Sequence, residues 1–160
     1  MILILLRHGK AQPDAPRGDH ARTLVPEAGP AVRGIGEALA AHDFVPAHVL
    51  VSTAARTLET LGALPRSLVR DATVVSSAAI YNAAAEELVA EVRSVRSGGG
   101  ATTIMVIGHN PALSQVAHWL APEGATVLKP GDADVLELQV DAELAPGAAS
   151  RLATFQAERG

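Results

Sequence analysis

The sequence predicts an α/β fold built on parallel strands, and three observations predict it. Two apolar runs, Met1-Ile2-Leu3-Ile4-Leu5-Leu6 and Thr103-Ile104-Met105-Val106-Ile107, read as strands buried on both faces. Segments of helical periodicity alternate with these and with shorter strand-like segments. Both long runs also end in a histidine, the first followed by Arg7-His8-Gly9 and the second by Gly108-His109-Asn110. In open α/β sheets the carboxyl ends of the strands face the crevice where ligands bind, so two imidazoles are expected at one edge of one sheet.

The first strand spans residues 2 to 6 and leads into a long connection rich in turn formers, Gln12-Pro13-Asp14-Ala15-Pro16-Arg17-Gly18-Asp19, of the kind that carries function. Val32, Ile35, Leu39 and Ala40 line one face of a helix from about Pro30 to His42, with Pro30 suited to the first turn. His48-Val49-Leu50-Val51 is a second buried strand. Ser52 and Thr53 are expected N-caps of a helix running to about Leu64, with Arg56 in its first turn. A cation opposes the helix dipole there, which suggests that Arg56 serves an anion held at the same end.

Thr73-Val74-Val75 is a short strand, and Ala83 to about Val95 is helical, closed by the turn Ser97-Gly98-Gly99-Gly100. After the strand at 103 to 107, Asn110 is the expected N-cap and Pro111 the first residue of a helix to about Leu120, stopped by Pro122. The period then changes. Val135, Leu136, Leu138 and Val140 form one strand and Leu152 with Phe155 another, joined through Leu144-Ala145-Pro146-Gly147 as a hairpin at the sheet edge. No repeat, linker or composition break divides the chain, so residues 1–160 are expected to form one domain.

Composition excludes several classes of function. With 48% hydrophobic and 19% charged residues the chain is globular rather than disordered. It has no cysteine, hence no disulfide, thiolate nucleophile or Cys-based metal site. A net charge of -4 argues against a nucleic-acid partner. The first apolar run is too short for a signal sequence or a membrane span, which places the protein in the cytoplasm with no membrane partner. Arginine outnumbers lysine 11 to 2, a bias that genome composition explains as readily as phosphate binding.

Arg7, His8, Arg56 and His109 are the candidate catalytic residues. Two guanidiniums and two imidazoles converging at a crevice make a pocket for a compact dianion, most simply a phosphoryl group. A neutral imidazole attacks phosphorus through its unprotonated nitrogen when the other N–H is held. Adjacent arginines favour that neutral form. His8, beside Arg7, is the nucleophile candidate, and His109 is placed to donate to the phosphoryl oxygens. The other histidines have plainer roles: His42 at a helix end, His48 opening a strand, His118 packing beside Trp119, and His20 in an exposed loop near the pocket. Lys10 either steers anions or does nothing.

Three segments in order, Leu6-Arg7-His8-Gly9, Ser52-Thr53-Ala54-Ala55-Arg56-Thr57-Leu58-Glu59-Thr60 and Val106-Ile107-Gly108-His109-Asn110-Pro111, resemble the signatures of the histidine phosphatase superfamily. The length resembles its small SixA-type phosphohistidine phosphatase branch, as do Asp19-His20-Ala21-Arg22-Thr23-Leu24 with Gly29, and Ile80-Tyr81-Asn82-Ala83. The resemblance implies a three-layer α/β/α sandwich with a mostly parallel sheet, phosphorylation of His8 during turnover, phosphate binding by Arg7 and Arg56, completion of the pocket by His109, and no metal or other cofactor. Gly9, Asn110 and Arg22 are candidate substrate-binding residues, although Arg22 either lines the pocket or braces its loop. Thr23 departs from the pattern, where the branch has proline.

The general acid is the weak point of the pattern. Only Glu87, Glu86 and Asp19 offer a proton to a leaving group, and helix capping equally explains both glutamates. An alkoxide leaving group needs that proton, at a cost of about 100- to 10,000-fold without it, whereas the imidazole of phosphohistidine needs less help. The expected substrate is therefore a phosphohistidine protein of a signalling or phosphotransfer system. The alternatives are a phosphatase of small phosphoesters and a phosphate-binding regulatory module without turnover.

Overall fold

In the computed structural model, which describes residues 1–97, 103–139 and 142–158, six strands form one sheet in the order β3-β2-β4-β1-β5-β6. They are β1 (Ile2–Arg7), β2 (His48–Ser52), β3 (Thr73–Ser77), β4 (Thr103–Gly108), β5 (Ala133–Leu138) and β6 (Ala149–Phe155). The first four run parallel to one another, and β5 and β6 add an antiparallel hairpin at one edge. The expected turn at Ser97-Gly98-Gly99-Gly100 falls largely, and Val140 wholly, outside the described residues.

Two-residue alternation along the strands divides the core between the two faces of the sheet. Ile4, Leu6, Val49, Val51, Met105 and Ile107 pack on one side with the helices α1 (Ala28–Ala41), α2 (Ala55–Ala63) and α3 (Arg66–Val69). Leu3, Leu5, Leu50, Ile104 and Val106 pack on the other with α4 (Ala85–Ser97) and α5 (Ala112–Leu120). The three-layer sandwich follows from this division. Central strands with no solvent-facing side read as unbroken apolar runs, which is why β1 and β4 stood out in the sequence.

This layering creates a topological switch. β1 and β4 are hydrogen-bonded neighbours, with Arg7 opposite Gly108. The chain leaves β1 toward α1 on one face and leaves β4 toward α5 on the other. A crevice opens at such a point, beyond the carboxyl ends of the strands. His8 and His109 are the first residues past those two ends. On the far side of β4, β2 delivers Ser52 and the start of α2 to the same crevice.

Helix starts differ from expectation in two places. The N-cap of α2 is Ala54 and that of α5 is Pro111, and neither side chain caps. Ser52 and Thr53 lie too early because Ser52 still belongs to β2. Asn110 also precedes the cap, yet its Oδ1 accepts from the Ser114 N–H at 3.1 Å and so still anchors the first turn of α5.

Candidate functional site

Strand β1 positions His8 through the backbone on both sides of it. The His8 N–H donates to the Gly108 carbonyl at 3.2 Å, and the Gly131 N–H donates to the Arg7 and His8 carbonyls at 3.1 and 2.9 Å. Gly131 has φ +86°, and a Cβ there would come within 2.9 Å of Ala157, so glycine is required for this approach. His8 is 7% exposed.

His8 Nδ1 lies 2.7 Å from the Gly9 carbonyl oxygen. A carbonyl only accepts, so Nδ1 carries the proton and Nε2 presents its lone pair. Burial, with added repulsion from Arg56, Arg7 and Arg22, lowers the His8 pKa to about 4 despite the Gly9 contact. Neighbouring arginines act in the expected direction, but desolvation is the larger cause. At neutral pH His8 is an uncharged imidazole with a free Nε2, the form a nucleophile needs.

The His109 ring centre lies 5.3 Å from that of His8. Its Nε2 is 2.8 Å from the Ser52 hydroxyl, which also accepts the Ala54 N–H at 3.2 Å. Ser52 is fully buried, and among the described residues His109 Nε2 is the acceptor within reach of its proton. That contact leaves the imidazole hydrogen on Nδ1, a buried atom with no partner. Burial, then His8 and Arg56, push the His109 pKa down to about 3. His109 therefore offers a neutral N–H donor.

The arginines are held by part of each fork. Arg7 Nη1 donates to the Leu128 carbonyl at 2.9 Å. Arg56, 5% exposed at the start of α2, donates from Nη1 to the Asp19 carbonyl oxygen at 2.9 Å and from Nη2 to Asp19 Oδ2 at 3.2 Å. In both arginines Nε is buried and unpaired. Among the described residues five buried side-chain polar atoms lack partners, and three of them belong to Arg7, Arg56 and His109. These three N–H groups are unmatched within the described residues, so any partner they have is water or a bound acceptor. No group of three or more histidine or acidic side chains is placed to hold a metal among the described residues.

Other expected site residues have different work. The Gly9 N–H donates to Thr60 Oγ1 at 3.0 Å, and a Cβ on Gly9 would meet Val32 at 3.0 Å, so this glycine lets the chain after β1 pack closely against α1 and α2. Asn110 donates from Nδ2 to the Leu128 carbonyl at 2.8 Å while its Oδ1 accepts from Ser114, which engages both ends of its amide in the structure. Arg22 bridges Asp19 Oδ1 at 2.9 Å and the Gln12 carbonyl at 2.8 Å, bracing the loop, while its charge still reaches His8.

Both candidate glutamates make other contacts. Glu87 Oε1 accepts the Ala84 N–H at 3.0 Å, the reach-back contact of a helix start. Glu86 lines a cavity of about 1140 Å³ together with residues of α5 and with Asn110, the neighbour of His109. Asp19 is the carboxylate that bonds Arg56 at the site. Its hydrogen bonds from Tyr81 and Arg22, and the charges of Arg56 and Arg22, lower its pKa to about 2. It is ionised at neutral pH and has no proton to give.

Sequence reasoning read Ser52 as a helix N-cap and gave Tyr81 and Thr60 no task beyond their place in the resembling segments. The Tyr81 hydroxyl donates to Asp19, and its ring lies edge-on to His109 at 5.6 Å and under Arg56 at 5.8 Å. Thr60 links Gly9 to the Arg56 carbonyl. A small hydroxyl residue at the end of a buried strand was the available signal for Ser52.

The two depressed histidine pKa values predict a stability profile. Between pH 6.5 and about 4 the unfolded chain binds a proton at His8 that the folded chain refuses, so stability falls as pH drops through this window and His109 extends the fall to about 3. The expected share from His8 is on the order of 2 kcal/mol. Melting temperatures at pH 7 and 4.5 check it: His8→Gln should lose less on acidification than the wild type, and equal losses would contradict the burial argument.

No protein-family model matches the chain, and no curated protein matches it. Solved structures do. A candidate phosphohistidine phosphatase SixA from Nakamurella multipartitia is 29% identical with a TM-score of 0.78, over 98% of this chain and 95% of that one. A candidate phosphohistidine phosphatase SixA from Agrobacterium tumefaciens is 22% identical with a TM-score of 0.78, over 96% of each chain. A protein histidine phosphatase SixA complexed with tungstate is 19% identical with a TM-score of 0.83, over 98% of this chain and 97% of that one.

Proposed function

From a chain with the histidine phosphatase fold and a likeness to its SixA-type branch, we propose a phosphatase that works through a phosphohistidine intermediate on His8 and acts on phosphohistidine of a partner protein. The observation that carries this reading is a buried histidine with a free Nε2, 5.3 Å ring to ring from a second histidine and within reach of the Arg7 and Arg56 charges. Such a cluster suits a dianion with several oxygens beside a nucleophile.

The mechanism follows from the tautomers. The His8 Nε2 lone pair forms a bond to phosphorus while the bond from phosphorus to the leaving nitrogen breaks, its electron pair returning to that nitrogen. The Gly9 carbonyl supports the positive charge that His8 gains. Arg7, Arg56 and the His109 N–H hold the three equatorial oxygens as charge spreads over them. Water then attacks phosphorus, the N–P bond breaks and phosphate leaves. No metal is required in either step, because the cationic forks supply the charge.

The ionised Asp19, which has no proton to give, supports a nitrogen leaving group over an alkoxide. No helix among the described residues is long and apolar enough to cross a membrane; a cytoplasmic location is part of the proposal.

A substrate panel tests the reading. Phosphohistidine peptide, a sugar phosphate and p-nitrophenyl phosphate are assayed with wild type and Glu87→Gln, with and without a chelator. Phosphohistidine should be turned over with the highest kcat/KM and the chelator should have no effect. Glu87→Gln keeps the acceptor oxygen of its cap and should change rates by no more than about twofold. Preference for the sugar phosphate, or activity lost to the chelator, would overturn the proposal.

A further inference from the structure

A pocket for phosphate does not need a carboxylate, yet Asp19 is built into this one. Its side chain is 56% exposed, against 7% for His8, and Arg56, whose charge reaches His8, bonds it. It is fixed from three sides: Arg22 Nε on Oδ1 at 2.9 Å, Arg56 Nη2 on Oδ2 at 3.2 Å, and the Tyr81 hydroxyl on Oδ2. The Arg56 fork that would grip the phosphoryl group is thus shared with a negative charge. An ionised carboxylate there repels the substrate dianion unless the substrate brings a compensating positive charge.

Geometry says where that charge would sit. In-line displacement puts the leaving group on the side of phosphorus away from His8 Nε2. Since His8 is buried, the leaving group points outward, toward the exposed Asp19. We infer that Asp19 is a specificity-determining residue that selects substrates whose leaving group is a protonated nitrogen ring, a phosphoimidazolium, over phosphate esters. The inference rests on the proposed phosphohistidine reading and names the group that enforces it.

The step balances without proton transfer to Asp19. The substrate ring enters as a cation with an N–H on the nitrogen remote from phosphorus, and the carboxylate accepts that N–H. When the P–N bond breaks, its electron pair neutralises the ring, which departs with its hydrogen retained. An ester oxygen gains negative charge in the same step and meets the same carboxylate as repulsion. Asp19, ionised at neutral pH, has no proton to relieve it.

The test compares kcat/KM for a phosphohistidine peptide and for p-nitrophenyl phosphate in wild type, Asp19→Asn and Asp19→Glu, with folding checked by circular dichroism. Asp19→Asn should lower phosphohistidine turnover by at least about tenfold and raise p-nitrophenyl phosphate turnover about two- to fivefold. Asp19→Glu keeps the charge and should preserve the preference. A fall by the same factor on both substrates would mean that Asp19 only positions Arg56, and undiminished phosphohistidine turnover by Asp19→Asn would also overturn the inference. In either case wild-type hydrolysis of phosphohistidine would leave the proposed function standing. Wild type that hydrolyses p-nitrophenyl phosphate alone would remove both.

Discussion

His8→Ala is expected to abolish turnover, by more than about 10⁴-fold, because it deletes the atom to which the phosphoryl group transfers. No neighbour can substitute. His109 presents an N–H to the pocket and keeps its lone pair on Nε2 against Ser52. Asp19 is engaged by two arginines and a tyrosine. The fold should survive, since β1 is set by its register with β4 and β5 and by backbone bonds that do not involve the imidazole. Removing a neutral buried ring leaves no orphaned charge. Steady-state kinetics with a melting curve checks this, and residual activity within tenfold of wild type would exclude His8 as nucleophile.

The second large effect is expected at Arg56. Arg56→Lys keeps the charge but replaces a planar fork of five donors with a point charge bearing three. The guanidinium bridges the Asp19 backbone and side chain while leaving Nε–H unmatched, and lysine cannot satisfy both demands. Loss of a donor to transition-state oxygens typically costs about 10²- to 10³-fold in kcat, so kcat should fall by that factor. If Arg56→Lys raised KM alone, Arg56 would bind substrate and transition state equally, and its assignment to the transition state would fail. The same variant reports on folding, because a buried cation without its partners destabilises the first turn of α2.

The features visible in the sequence are those carried by consecutive residues. β1 and β4 are buried on both faces and therefore written as apolar runs, and the residue after each run is forced to the crevice by the strand itself. Arg56 could be singled out because a cation in a first turn opposes the helix dipole. What could not be read was how the intervening loops fold back. Asp19 meets Arg56 across 37 positions and Tyr81 across 62, and no local pattern encodes those encounters.

Adjacency to a reactive residue did not disclose which bonds the neighbours make. Gly9 and Asn110 flank the two histidines, yet one N–H is taken by Thr60 and one amide by Leu128 and Ser114. Both act as braces for the histidines beside them. Glu86 and Glu87 lie on a helix start where one carboxylate accepts from its own cap and the other lines a cavity. Capping and donation use the same residue types in the same place, and tertiary geometry alone separates them.

The central claim is that a phosphoryl group transfers to one nitrogen, Nε2 of His8. Brief incubation of the protein with phosphohistidine substrate labelled at phosphorus, quenched in base, should leave label on the chain that survives alkali, is released by acid and maps to His8. It should be absent from His8→Ala and present in Glu87→Gln. Label on any other residue, or turnover with no acid-labile label while His8→Ala remains active, would contradict the account.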